Sequence, residues 1–256
     1  MTGAAAPDAL HRLRLAMQNI QYFQIDNQKL PLALGAVDID STLGGGLSYG
    51  ALHEFSPAAP LHFGAACGFT LGLAALAARS GKETLWIQTD FARLEGGALY
   101  GIGLDLFGLA SKRLLVLRAA RAIDALFAME EALKCRAIGS VIAELPDDSA
   151  DLTTTRRLSL AAREHGGLGL LLRHRSSSMP SAAMTRWDIS AASGPRDGFG
   201  GLGATSFLLS LVKNRRGQCG RWSLAWNHHD RVFVEAANPL GVAAAVADGP
   251  HRAAIA

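Results

Sequence analysis

Three consecutive glycines, 44–46, and another at Gly50 lie where phosphate chemistry has to be considered, but in the stretch 37–55 they are typical of a turn that leads into an apolar strand. A phosphate loop of the form G-x-x-x-x-G-K-[ST] would follow that strand, where its amides, lysine and hydroxyl hold the phosphates and Mg²⁺. The segment 56–70 lacks this pattern. No lysine lies between His53 and Arg79, and two prolines in the segment remove amide donors. The sequence therefore predicts that phosphoryl transfer is lost, with no catalytic residue and no bound cofactor.

Two other kinds of chemistry are excluded by the spacing of the residues. The stretch 46–50 matches the G-x-S-x-G nucleophile pattern, but that elbow needs a strand before it and a helix after it, whereas here the strand follows. Cys67, Cys135 and Cys219 stand far apart without ligand spacing. We therefore expect neither a zinc site nor a disulfide framework, and a reducing cytoplasm as the location.

Basic residues late in the chain are the candidates for binding. The candidate contacts to a nucleic acid or a protein partner are Lys213, Asn214, Arg215, Arg216, Arg173 and Arg175. Trp222 and Trp226 lie on the hairpin that follows the first of these groups, and because alternate strand residues share a face we predict that both pack inward. For the two arginines at the turn, a contact and a merely solvated turn remain equal alternatives. The net charge of +3 permits a nucleic-acid partner without requiring one.

Short apolar strands alternate with helices over residues 51–172, which is typical of an α/β fold with a parallel sheet covered on both faces. The predicted strands are 51–55, 84–89, 114–117, 140–145 and 168–172, and the predicted helices are 64–79, 122–135 and 153–165. In the second helix, Ile123, Leu126 and Phe127 are predicted to form the apolar face. After residue 185, strands at 186–190, 206–212, 221–226 and 231–235 follow one another without helices. These predict antiparallel strands added to the edge of the sheet.

The pattern divides the chain into an N-terminal helix and linker, 1–34, a core domain, 35–235, and an alanine-rich tail, 236–256, expected to be flexible and able to dock. Residues 55–78 carry no Asp, Glu, Lys or Arg and are long enough to cross a bilayer. Their prolines, glycines and many alanines indicate a loop followed by a buried helix instead. We expect no membrane association and no signal peptide.

The order of several motifs resembles the ATPase core of RecA-type recombinases. These motifs are a hydrophobic residue and Asp, then Leu-Gly-Gly-Gly-Leu, Gly and a strand ending in Glu, followed by residues 86–90, 99–105 and 210–215. The resemblance covers roughly residues 35 to 235 and implies a RecA-like fold. It places Asp90 where such proteins carry the carboxylate that activates water. It also places Glu144 on the strand where a magnesium-binding carboxylate is expected, so both are interpreted as remnants of an ATPase site.

A RecA-like core without a phosphate loop, preceded by a helix and carrying Lys-Asn-Arg-Arg-Gly at 213–217, is similar to the ImuA family of damage-inducible mutagenesis proteins. The resemblance implies a non-catalytic accessory protein of SOS-induced, error-prone translesion DNA synthesis. The implied partners are ImuB, a Y-family-like polymerase relative without catalytic activity, and an error-prone DNA polymerase. RecA or DNA as further partners, and a homo-oligomer, remain open.

Two alternative functions belong to other classes. One is a divergent DNA-stimulated ATPase or recombinase that holds nucleotide through Lys82 or an arginine of a neighbouring subunit. The other is an interaction protein that resembles the SOS cell-division inhibitor or modulates RecA filaments. The chain length, the late strands and the segment 213–217 favour the mutagenesis accessory protein over the shorter division inhibitor.

Overall fold

The computed structural model describes residues 30–109, 111–146, 149–194 and 203–236. Over these residues, nine strands form one sheet in the order β3-β2-β4-β5-β1-β6-β7-β8-β9. The strands are β1 Ala51–Pro57, β2 Glu83–Thr89, β3 Leu114–Ala119, β4 Ile138–Leu145, β5 Leu168–Arg173, β6 Thr185–Ala192, β7 Ser206–Asn214, β8 Gly220–Asn227 and β9 Val232–Glu235. The predicted α/β class, mostly parallel with antiparallel strands added late, is confirmed.

The described helices are α1 Val37–Thr42, α2 Phe63–Ala78, α3 Asp90–Gly96, α4 Gly101–Leu106, α5 Ala122–Leu133 and α6 Leu152–His165, with 3₁₀ turns at Pro60–His62 and Ser111–Arg113. Local residues set their ends. Asp151 caps α6 by accepting the Thr154 N–H, with an N···O distance of 2.7 Å. Gly166 ends the same helix in the left-handed conformation, at φ 69°. Thr89 caps α3 in the same way as Asp151 caps α6.

The sheet separates two apolar cores because successive strand residues face opposite sides. On one side, Phe55 and Trp187 pack against α2. On the other side, Leu52 and Ile87 pack against α5 and α6. The carboxyl ends of β1, β2, β4 and β5 meet at one edge of the sheet, where ligands bind in open α/β sheets.

Helix α2 is enclosed rather than amphipathic, and every residue from Phe69 to Ala77 is buried. Both halves of the sheet contact it. A Cβ added at Gly72 would lie 2.6 Å from the Phe233 ring of β9 and 3.1 Å from the Trp226 ring of β8. The stretch Pro60–Ala78 has the length and hydropathy of a membrane span. In this fold it is the central helix of the core, in agreement with the predicted buried helix.

Three details of the sequence reading are corrected. Strand β6 pairs in parallel with β1, so the antiparallel part begins only at β7. On α5, Ile123 and Phe127 are 66% and 63% exposed, whereas Leu126 is buried as predicted and Ala125 and Met129 complete the buried face. Helix α1 occupies part of the stretch interpreted as a turn. It is held by Asp40, which accepts the backbone N–H groups of two preceding residues at 2.8 and 2.9 Å.

The ends of the predicted domains lie at the limits of the described residues. Segments 1–29 and 237–256, which contain the predicted N-terminal helix and most of the predicted tail, lie outside the described residues. The end of the predicted linker packs on the core. Leu32 pairs with Leu47 through two backbone hydrogen bonds, and Gly46, at φ 129°, leaves no room for a side chain beside this pair.

Candidate functional site

The segment between β1 and α2 is the place where a phosphate loop would lie. Pro57 and Pro60 have no N–H to offer a phosphate. The Ala58 N–H donates to the Ile189 carbonyl of β6, with an N···O distance of 2.8 Å. Helix α2 then begins at Phe63, an aromatic residue near the position where the lysine would stand. The amides that would surround a phosphate are therefore missing at two positions and engaged at a third.

Side chains occupy the space beyond the ends of β4 and β5. Glu144, on β4, is 2% exposed and accepts hydrogen bonds from Trp86 Nε1 at 3.3 Å and Gln88 Nε2 at 3.1 Å. His174 Nε2 lies 3.2 Å from its other carboxylate oxygen. The ring of Phe63 packs against that imidazole, with centroids 4.1 Å apart. We call these five residues the Glu144 cluster.

The first turns of α2 offer no replacement for the magnesium-binding hydroxyl. Thr70 is fully buried, and its hydroxyl donates to the Ala66 carbonyl one turn earlier at 2.8 Å. Burial, and secondly the carboxylate of Glu144, raise the pKa of the Cys67 thiol, so this group stays protonated at neutral pH. Neither side chain is free to coordinate a cation.

Asp90, the other predicted remnant, lies in a different environment. It is the first residue of α3, and its carboxylate pairs with Arg118 of β3 at 2.8 Å, with both side chains about half exposed. The pair borders an open groove of about 480 Å³ lined also by Arg93, Leu94 and Ala98. Asp90 is thus held by an arginine, and Glu144 by a tryptophan, a glutamine and a histidine.

A buried ion-pair network lies on the opposite face of β1 from α2. Glu54 is 0% exposed and accepts hydrogen bonds from Arg173 Nη2 at 3.1 Å, Ser181 Oγ at 2.7 Å and Arg186 Nε at 2.8 Å. Burial alone would raise the pKa of Glu54. Arg173, the Ser181 hydrogen bond and Arg186 outweigh burial and hold this pKa below its usual value.

The Glu54 network fixes the connection between β5 and β6, residues 174–184, which we call the crossover. Because β5 and β6 flank β1 in parallel, the crossover must pass over β1, and it contains no helix. Arg186, Lys213 and Arg215 donate to its backbone, and the accepting carbonyls are those of Ser177, Met179, Ser181 and Ala182. These three cations are therefore arranged along one extended segment.

The predicted contact residues differ in their burial and in their hydrogen-bond partners. Arg173 is 1% exposed and donates hydrogen bonds to Glu54 and to the Ala150 carbonyl, so it does not belong to an exposed contact surface. Asn214 shapes the turn by accepting the Arg216 N–H at 3.0 Å and donating to the Gln218 carbonyl at 3.0 Å. The exposed members are Arg175 and Arg215, and the half-buried members are Lys213, Asn214 and Arg216.

The two tryptophans of β8 face the core, as predicted. Trp226 is fully buried, and Trp222 packs at the edge of the core with its ring 6.1 Å from that of Trp187. Neither ring is therefore placed to stack on a nucleic-acid base. A ligand of the basic residues would have to be recognised through charge.

His53 forms a buried chain of hydrogen bonds on the other face of β1 from this network. Its Nε2 lies 3.0 Å from the Ser48 carbonyl, which can only accept, so the proton sits on Nε2. Its Nδ1 therefore accepts from the Thr185 hydroxyl at 2.8 Å, and Thr185 in turn accepts from Trp187 Nε1 at 2.8 Å. The neutral imidazole satisfies every partner in the chain.

Sequence reasoning missed the residues that fill and fix this region. They are Glu54, Arg186, Ser181, Phe63 and His174, whose contacts join positions up to 132 residues apart. The one available signal was an ionisable residue, Glu54, inside an otherwise apolar strand. Such a residue needs a buried partner of opposite charge, but the sequence does not identify that partner.

These features define a RecA-like α/β protein. Among solved structures the chain is similar to the RadB recombinase, with a TM-score of 0.55 and 17% identity, over 80% of this chain and 99% of that chain. No model of a known protein family matches the chain.

Two curated relatives, both named Protein ImuA, come from the Caulobacter vibrioides strains NA1000 / CB15N and ATCC 19089 / CIP 103742 / CB 15. Each is 31% identical over 213 residues, which cover 75% of this chain and 82% of the relative. The chain therefore belongs to the ImuA family.

Proposed function

We propose that this protein is a non-catalytic, cytoplasmic accessory factor of SOS-induced, error-prone translesion DNA synthesis that acts by binding partner proteins. Membership of the ImuA family and the RecA-like fold support a role in mutagenesis on a recombinase-type scaffold. The partners that we expect are an ImuB-type polymerase relative and an error-prone DNA polymerase.

The Glu144 cluster is the observation that carries the non-catalytic part of the proposal. Phosphoryl transfer depends on positioned cations and amides around the phosphates. At the corresponding place this chain has two prolines, no lysine and a phenylalanine ring packed on His174. Glu144, which would have to hold Mg²⁺, already has three side-chain partners. A nucleotide would have to displace these groups, and segment 56–70 contains no lysine or arginine to offset the phosphate charge.

A titration of fluorescent ATP with Mg²⁺ against the purified protein tests this point, with DNA-stimulated hydrolysis measured alongside and a RecA protein as positive control. We expect neither saturable binding nor turnover. The variant Phe63→Ala, which removes the ring beside His174, should remain equally inactive because the lysine is still missing. Micromolar binding with hydrolysis that disappears in Asp90→Asn would refute the proposal and favour the divergent ATPase.

Binding of the expected partners is tested separately by co-purification. The full chain, a form without residues 1–29 and a form without residues 237–256 would each be mixed with the ImuB-type protein and with the polymerase. We expect the full chain to retain at least the ImuB-type protein, and one truncated form to lose it while keeping the same thermal melting curve. No association of the full chain with either partner would contradict the proposal even if ATP binding is absent.

A further inference from the structure

Helix α6 carries a line of exposed side chains on the face turned away from the sheet. Leu152, Arg156, Leu160 and Arg163 recur at intervals of three or four residues, so they lie along one face of the helix. All four are exposed, and the two leucines are 49% and 57% exposed. The buried residues of the helix, among them Leu158, lie on its other side. We call the four exposed residues the α6 stripe.

The two arginines of the α6 stripe have no carboxylate partner in the part of the chain that the structure describes. Their neighbour Arg157, on the side of α6 next to α5, pairs with Glu130. The carboxylate of α6 itself, Glu164, lies 3.8 Å from the imidazole of His165. The stripe therefore presents two positive charges, placed among exposed leucines, that no described carboxylate neutralises.

The surface of α6 is already in place before a ligand binds. Asp151 caps its first turn and Gly166 ends its last one. On one side the helix is joined to α5 through Arg157, and on the other Ser159 Oγ donates to the Ala182 carbonyl at 3.1 Å. A ligand would meet a preformed helical ridge, so little binding free energy is lost in ordering it.

The chemistry of the α6 stripe favours a helix with acidic and apolar residues as its ligand. A nucleic-acid backbone would pair with the arginines but leave both leucines in water. An amphipathic helix can pair carboxylates with the arginines and cover the leucines, because residues three and four apart share one of its faces. From Leu152 to Arg163 the stripe is about 16 Å long, which corresponds to roughly three turns of such a helix.

Charge also indicates that this helix comes from another protein. Of the terminal segments outside the described residues, 1–29 contains two aspartates against two arginines and a lysine, and 237–256 contains one aspartate and one arginine. Neither segment supplies the excess of carboxylates that the stripe needs. A second copy that contacts the stripe through its own stripe would place arginines against arginines.

We propose that the α6 stripe docks an acidic amphipathic helix of a partner protein. Carboxylates of that helix face Arg156 and Arg163, and its apolar side chains cover Leu152 and Leu160. The inference rests on the proposed partner-binding function and adds a contact within the core to those expected at the ends of the chain. Because charges on both sides are involved, binding should weaken as salt is raised.

Biolayer interferometry tests the α6 stripe with the ImuB-type protein or the polymerase immobilised, and with the full chain treated with nuclease and titrated at low and high salt. One test variant combines Arg156→Glu with Arg163→Glu, and a second combines Leu152→Ser with Leu160→Ser. The matched control combines Lys112→Glu with Arg221→Glu, which changes the net charge equally at exposed positions just before β3 and on β8. Thermal melting of each variant verifies the fold.

We expect the charge reversal to weaken binding of one partner by about tenfold or more and the leucine variant to weaken it in the same direction, while the control keeps the wild-type affinity. Stripe variants that bind both partners as tightly as the wild type would refute the inference and leave the proposed function standing. A wild type that binds neither partner would refute both. An equal loss in the control, or an association that nuclease abolishes, would also overturn the inference, and the latter would assign the stripe to a nucleic acid.

Discussion

The buried imidazole of His53 makes the stability of this fold depend on pH. Burial lowers the pKa of His53 from 6.5 to about 4, with a smaller lowering from Arg216, although the hydrogen bond to Ser48 opposes the shift. The folded protein thus resists protonation at this site, whereas the unfolded chain accepts a proton near its ordinary pKa.

The sign follows from the protons bound by each state. Between pH 6.5 and pH 4 the unfolded chain carries the proton and the folded protein does not, so stability is complete above this window and falls as the pH drops. From these two values His53 alone should remove about 2 kcal/mol of unfolding free energy between pH 7 and pH 5. Glu54 acts lower, because its depressed pKa places its loss of stabilisation below pH 4.5.

The assay compares urea unfolding of the wild type and His53→Gln at several pH values from 7 to 5. Glutamine can donate to the Ser48 carbonyl and accept from the Thr185 hydroxyl, but it does not titrate. The variant should be less stable at pH 7, yet its stability should fall with pH by about 2 kcal/mol less than that of the wild type. Parallel pH profiles for the two proteins would show that the imidazole titrates normally in the fold, and the reasoning would fail.

Three further outcomes follow from the packing. Glu54→Gln leaves the buried Arg173 without its carboxylate and should cost about 3–5 kcal/mol in urea unfolding; a loss below about 1 kcal/mol would mean that water reaches the network. Gly72→Ala forces a methyl group against two rings and should cost about 1–3 kcal/mol of unfolding free energy. Gly64→Ala, on the same helix in open space, is the control and should be neutral. Equal melting temperatures for the two variants would contradict this packing. Of the three thiols, Cys67 should react slowest with Ellman's reagent, and two fast thiols out of three are expected.

The class of the fold was accessible from the sequence because buried parallel strands are continuous apolar runs of a few residues. The buried face of α5 could not be predicted in this way. Its helix lies near the edge strand β3, so Phe127 can be exposed although its spacing is that of a core residue. The parallel pairing of β6 was also hidden, since the crossover before it contains no helix to indicate such a connection. Helix α1 has only six residues and depends on Asp40, which accepts two backbone N–H groups that precede the helix, a contact that leaves no periodic pattern in the sequence.

The candidate site was predictable where it depends on residue types and hidden where it depends on pairing. A phosphate loop needs a lysine at a fixed place, so its absence can be read directly from the sequence. The packing of Phe63 on His174 joins positions 111 residues apart, and the pairing of Arg173 with Glu54 joins positions 119 apart. Arg173 was therefore assigned to the surface, although its partner takes it into the core.

The enclosure of α2 by both halves of the sheet has a consequence for how the chain is made. The helix ends at Ala78, while the ring that closes over it, Phe233, is about 155 residues further along. At a synthesis rate of about 5–20 residues per second, this apolar helix is made roughly 8 to 30 seconds before Phe233 is added to the chain. Until β8 and β9 arrive, the nascent chain exposes a surface with the hydropathy of a membrane span. The time needed to synthesise the chain as far as β8 and β9 therefore determines how long the nascent protein needs protection from aggregation.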